Sequence, residues 1–231
     1  MKIRYFFPFL AGILFLFSCG KNEATYMLSF NFFSDTQGWT GDFADYPAGE
    51  EDFYELDTGW AHLPVPLDTI MGSFRISGIN HSDDLFMFIK YKMDGLLPGA
   101  KYSITFEVEL ASDAPTNAVG IGGAPGEGVT LKIGAVQGQP DKLLGDNDFY
   151  NMNIDKGNQS SSGEDMIAIG HVGVSDTTTV YTIIKRDNNS QPVQVTADEN
   201  GECWFVIGTD SGFEGKTTLY YSKVKLMIKR I

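Results

Sequence analysis

Between Trp39 and Trp60 the chain interleaves Trp39, Phe43, Tyr46, Tyr54 and Trp60 with Asp42, Asp45 and Asp57, its densest mixture of aromatic rings and carboxylates. A ring offers a flat apolar face and a carboxylate accepts hydrogen bonds. Together they suit a pyranose, whose C–H face stacks while its hydroxyls find partners. Trp39, Asp42, Asp45, Tyr46 and Trp60 are the residues expected to contact glycan if any glycan is bound. The plain alternative is that these rings fill the core of a β protein. A second oxygen-rich stretch runs Asp146-Asn147-Asp148, then Asn151, Asn153 and Asp155. Hard oxygen ligands are what calcium takes, so Asp146, Asp148 and Asp155 are its candidate ligands. Lys156 stands where an EF-hand loop needs its sixth-position glycine, so a solvated acidic loop is the competing reading.

Other chemistries find little to work with. His62, His81 and His171 have no His-x-x-x-His spacing and no paired cysteines, which leaves zinc without a ligand set. The glycine-rich run from Gly120 to Gly126 carries Pro125 where a dinucleotide fingerprint needs its third glycine, and a strand-like segment from Val129 follows it instead of a helix. No Gly-x-Ser-x-Gly elbow occurs. With 17 Lys+Arg against 30 Asp+Glu the formal charge is −13, and no long basic run is present. Counterion release needs clustered cations, so nucleic acid is disfavoured as a partner. Cys203 lies in the apolar run Cys203-Trp204-Phe205-Val206-Ile207, which reads as a buried, inert thiol.

The first 18 residues, MKIRYFFPFLAGILFLFS, place Lys2 and Arg4 before an apolar run from Tyr5 to Phe17. Such a run is short for a permanent span, which needs roughly 20 apolar residues, and has the layout of a secretory signal. It ends Leu16-Phe17-Ser18-Cys19-Gly20. This resembles the lipobox of bacterial lipoproteins, and the resemblance implies cleavage before Cys19 and acylation of that residue. The implied organisation is a signal peptide over 1–18, a lipidated cysteine and short polar tether over 19–25, and a folded domain over 26–231. The expected location is the cell envelope, lipid-anchored at the outer membrane or cell surface. The chain from Cys19 loses Lys2 and Arg4 and keeps 15 basic residues against 30 acidic ones.

The elements that must hold these residues read as strands. Tyr102, Ile104, Phe106, Val108 and Leu110 alternate with polar residues, and Leu85 to Met93, Val129 to Ala135, Met166 to Val174, Val180 to Ile184, Cys203 to Ile207 and Tyr220 to Ile228 add further runs. Met27 to Phe33 and Phe74 to Ile79 are weaker candidates. Tyr102, Phe106, Leu131, Trp204 and Leu226 are the expected core. Asp94-Gly95, Pro98-Gly99, Pro125-Gly126, Asn200-Gly201 and Ser211-Gly212 separate the runs with turn chemistry. A long polar stretch from Gln137 to Asp165 reads as a functional or mobile insertion. Ten or so strands without an internal linker predict an all-β fold, a single jelly-roll β-sandwich.

The segment Gly95-Leu96-Leu97-Pro98-Gly99-Ala100-Lys101-Tyr102-Ser103-Ile104-Thr105-Phe106 resembles the strand entry of carbohydrate-binding-module and galactose-binding-like jelly rolls. Phe30-Asn31-Phe32 with Gly38-Trp39, and the strand from Tyr220 to Ile228, resemble their first and closing strands. Asn153-Ile154-Asp155-Lys156-Gly157-Asn158-Gln159 with Gly163 is similar to surface lipoproteins of Bacteroides-type bacteria. The resemblance implies a non-catalytic glycan-binding lipoprotein, in which a structural calcium is common. Glu50-x-Asp52-x-x-Glu55 resembles the catalytic strand of laminarinase-like glycoside hydrolases, where two carboxylates lie about 5.5 Å apart across a strand. A glycosidase using Glu50 and Glu55 is therefore one alternative, and an envelope interaction or scaffold protein that touches no sugar is the other.

Overall fold

In a computed structural model of the chain, residues 24–175 and 179–231 are described; Cys19 and the apolar N-terminal segment lie outside them. Among the described residues there are fifteen strands and no helix. The strands are β1 (Thr25–Phe30), β2 (Thr40–Ala44), β3 (Tyr46–Pro47), β4 (Asp57–His62) and β5 (Gly72–Ile79). Then come β6 (Phe86–Met93), β7 (Lys101–Ser112), β8 (Val129–Val136), β9 (Lys142–Leu144) and β10 (Phe149–Met152). The last are β11 (Met166–His171), β12 (Thr182–Asp187), β13 (Val193–Thr196), β14 (Cys203–Ser211) and β15 (Lys216–Arg230).

Two antiparallel sheets pack face to face as a jelly-roll β-sandwich. One runs β12-β7-β15-β5-β4, with β1 added to β15 and β13 to β7; the other runs β11-β8-β14-β6-β2. The links β5→β6, β7→β8, β11→β12 and β14→β15 each cross from one sheet to the other. Period-two alternation fills that core: Tyr102, Ile104, Phe106 and Val108 of β7 meet Leu131 and Ile133 of β8, Phe205 and Ile207 of β14 and Leu226 and Ile228 of β15, all buried. Four of the five expected core residues are there. Trp204 is the exception: alternation along β14 sends Cys203, Phe205 and Ile207 inward, so Trp204 faces out, opposite Lys92 and Val136, and is only half-buried.

Cys203 is buried, and burial pushes its thiol up to about 12. A thiolate is the reactive form, so a maleimide should leave Cys203 unlabelled in the folded protein and label it once guanidinium unfolds the chain. Labelling at the same rate in both states would contradict the packing.

The stretch from Gln137 to Asp165 is no free loop. Its strand β10 pairs with β9 on one side and β3 on the other in a small three-stranded sheet, and the stretch lies over the outer face of the second large sheet. Met152 and Ile154 pack on a satellite apolar cluster of Ala44, Phe86, Phe88, Met166 and Val206. Phe86 and Phe88, which sit on the polar-reading side of their strand, are stacked at 5.6 Å beneath this cover.

Candidate functional site

The segment from Trp39 to Trp60 runs through β2, β3 and the start of β4, strands of three different sheets, which scatters its candidate residues. Trp39, read as a possible platform, is 1% exposed. It packs edge-on against Phe30 at 5.5 Å and beside Tyr91 at 5.5 Å, deep in the main core. Tyr46 is buried as well, with its ring 5.7 Å from Tyr54 and 5.3 Å from Tyr150. Neither ring has a face left for a ligand. Both fill the core of the β protein, the plain alternative for these rings.

Asp42, Asp45 and Tyr46 anchor the cover instead. Lys142 donates to the Tyr46 hydroxyl at 2.8 Å, lies 3.3 Å from Asp42 and sits over the rings of Tyr46 and Tyr150. Asp45, held at a positive φ of 62° between β2 and β3, accepts the Met152 amide at 3.2 Å, while its own amide donates to the Tyr150 carbonyl at 2.6 Å. Its other oxygen lies 3.0 Å from the Lys156 ammonium.

Lys156 belongs to a buried charged knot. Both Lys132 and Lys156 donate to the same oxygen of Asp210 at 2.8 Å, and Lys132 also donates to the Lys156 carbonyl at 2.7 Å. Asp84 stands 3.7 Å from Lys156. The side chains of Lys132 and Asp210 are wholly buried. Burial lowers the pKa of Lys132; it works against the charge of Lys156 too, but Asp210, Asp45 and Asp84 outweigh it there and hold that pKa up. Burial likewise raises Asp45, and it pushes Asp84 up to about 6 despite the ammonium beside it. A third lysine, Lys90, donates to the Pro140 carbonyl at 2.7 Å. Three lysines thus fasten the cover to the sheet, and a shallow groove of about 220 Å³ opens above Asp45, Asp84 and Lys156. Sequence reading missed this knot, because Lys132 and Asp210 look like ordinary solvent-side residues of alternating strands. The signal was two opposite charges on β8 and β14, in the cross-strand rows that hold Phe86 and Phe88 of neighbouring β6.

Asp84 gives a pH dependence with a definite sign. Its folded pKa lies above the ordinary carboxylate value of 3.8, so between about pH 4 and 6 the folded chain holds a proton that the unfolded chain has released. Stability from this group therefore rises as pH falls through about 6. Thermal melting should show a higher midpoint at pH 5 than at pH 7.5, and Asp84→Asn should flatten that slope. An unchanged slope in the variant would contradict the assignment.

The calcium candidates are not brought together. Asp146 and Asp148 are exposed on the β9–β10 turn. Asp155 turns its carboxylate to the amides of Gly157 and Glu164, both at 2.9 Å, bonds that lower its pKa. Among the described residues no group of three His, Cys, Asp or Glu could hold a metal ion. The glycosidase geometry fails for a similar reason. Residues 51–55 form a tight turn closed by the Tyr54 amide on the Glu50 carbonyl at 2.9 Å, so Glu50 and Glu55 do not flank a strand, and Glu55 is ion-paired with Lys216 at 2.5 Å.

Trp60 is the candidate that keeps an open face. It lies on β4, the edge strand of its sheet, opposite Phe74, and is 39% exposed. Its Nε1–H donates to the Phe32 carbonyl at 2.9 Å, which fixes the ring while leaving its surface to solvent. His62, two residues on, meets it edge-on at 4.8 Å. A Cβ on Gly72 would stand 2.4 to 2.6 Å from the carbonyls of Phe33 and Phe32 and from Trp60 Nε1, so indole and loop converge on a position that only glycine fills. That loop carries exposed Phe33, and Asn31 in it accepts from the Gln37 side chain at 2.8 Å.

No family model matches the chain, and no curated protein matches it. Among solved structures, a carbohydrate-binding module described by its specific mannan recognition is 10% identical, with 88% of this chain and 98% of that one covered and a TM-score of 0.38. The K3 cleaved adhesin domain of Lys-gingipain from Porphyromonas gingivalis W83 is also 10% identical, with 88% and 99% covered and a TM-score of 0.41. The chain spans 19% of the enzymatically active domain of bacteriophage CBA120 tailspike protein 4, at 10% identity, 81% of this chain and a TM-score of 0.35. Likenesses this distant carry no functional argument, and the fold stands on the strand pairing itself.

Proposed function

We propose that the protein is a lipid-anchored envelope protein whose sandwich binds glycan without acting on it chemically, with Trp60 as the stacking platform. The observation that carries this reading is the indole of Trp60, held by the Phe32 carbonyl on one edge and open to solvent on its surface. A ring fixed before binding loses little freedom when a sugar stacks on it, which is the economical way to use an aromatic contact. Phe33, Asn31 and Gln37 beside it add a second apolar surface and planar polar groups for hydroxyls. The lipobox ending at Cys19 supports the anchor. A single acyl chain gives marginal binding, and several give a stable one.

A glycan array probed with the wild-type protein and with Trp60→Ala tests the reading. Retention of one or more glycans by the first and loss in the second supports it. Equal retention by both moves the site elsewhere, and no retention by either favours a scaffold that binds another envelope component.

A further inference from the structure

The outer face of the larger sheet ends in a corner unlike the rest of this acidic molecule. Outward residues of β1, β15 and β7 meet there in rows: Met27 pairs across with Met227 and Met227 with Thr105, and Thr25 pairs with Lys229 and Lys229 with Ser103. Beyond them Lys101 pairs with Thr196, and the Ile231 amide donates to the Lys101 carbonyl at 2.9 Å. Met27 is 80% exposed and Met227 43%, and Ile231 is exposed too. Large apolar side chains left this open on a sheet face mark a contact surface. An apolar groove of about 170 Å³ runs beside the two methionines, with Lys225 and Glu107 at its far side, paired at 3.0 Å. Among the described residues paired in these three rows, none is acidic. Strand β15 carries Lys216, Lys223, Lys225, Lys229 and Arg230 and no Asp or Glu, whereas the whole chain is at −13.

We propose that this corner is the face the protein lays against the lipid headgroups of the membrane that holds it, an inference that rests on acylation of Cys19. Five residues separate Cys19 from Thr25, and the six residue steps between them reach at most roughly 20 Å. The anchor therefore brings the β1 end of the sandwich to the bilayer before any other part. Of the orientations that tether allows, the one presenting the methionine–lysine corner places cations beside anionic headgroups and sends the acidic remainder outward. Screening over about 8–10 Å confines the attraction to groups at the contact itself. Methionine suits the apolar side of such a contact, being flexible and polarizable, and lysine extends its stem along it with the ammonium in the headgroup layer. Trp60 pairs with Phe74, which pairs with Tyr221, eight residues along β15 from Lys229, so the proposed glycan platform stands well away from the membrane.

The test uses the full, acylated chain in phosphatidylethanolamine/phosphatidylglycerol vesicles doped with a nitroxide-labelled lipid. Met227→Cys and, at the opposite end of β15, Glu214→Cys are each labelled with a fluorophore, Cys203 being buried. Loss of fluorescence for the label at 227 with none for the label at 214, reversed by adding Lys101→Glu and Lys229→Glu, supports the proposal. A chain that sediments with the vesicles while both labels fluoresce equally overturns the proposal and leaves the anchor standing. A chain that stays in solution with an unmodified Cys19 in its intact mass overturns the anchor and the proposal with it.

Discussion

Asp210→Ala should destabilise the protein by about 3–5 kcal/mol, the range for removing one partner of a buried ion pair. The reason is the environment left behind. Lys132 is wholly buried, and its ammonium has the Asp210 carboxylate and the Lys156 carbonyl as partners. Without the carboxylate it must lose its proton or draw water under the cover. Lys156 keeps Asp45 and Asp84 and suffers less. Adding Lys132→Met should recover a large part of the loss, since an apolar side chain of similar volume needs no counter-charge there. Urea unfolding of wild type, single and double variants measures both terms. A single variant within 1 kcal/mol of wild type, or a double variant worse than the single, would show that the knot does not hold the cover.

Trp39→Ala is expected to cost about 3–5 kcal/mol in the same experiment, as large-to-small changes at buried aromatic sites do. Its indole fills the space among Phe30, Phe32 and Tyr91, and the cavity would open where β1 and β2 approach each other. Trp60→Ala, at an exposed edge, should cost far less. This contrast separates two residues that the sequence presents alike.

How far each was legible follows from periodicity. The long strands β7 and β8 show clean alternation of apolar and polar residues, so their positions and core faces could be read directly; in β15 a bulge between Tyr221 and Lys223 shifts the register, so Tyr221 and not Tyr220 shares the core face with Val224, Leu226 and Ile228. Thr40-Gly41-Asp42-Phe43-Ala44 and Asp57-Thr58-Gly59-Trp60-Ala61-His62 have no such pattern, being edge strands that need to bury only part of one face. They do not read as strands, which leaves Trp39 beside the first of them open as a ligand candidate. Buried residues of β8 and β14 hid a second fact. Lys132 and Asp210 are polar at outward positions, as alternation requires, and nothing local says that residues 137–165 come back to cover them. Charge pairing across 78 positions is a tertiary event. Glu50, Asp52 and Glu55 resemble a catalytic strand only in their spacing: the backbone turns helically at residues 51–55, burying Tyr54 and leaving both glutamates outside.

Trp60 is proposed as a ligand platform, whereas Trp39 is core. Titration calorimetry with the glycan best retained by the wild type, run on Trp60→Ala beside its thermal melt, tests this contrast most directly. An affinity loss of about 1–3 kcal/mol, roughly 5- to 150-fold, is expected, with a melting temperature close to wild type. Undiminished affinity in Trp60→Ala, or a melting temperature lowered as far as in Trp39→Ala, would contradict it.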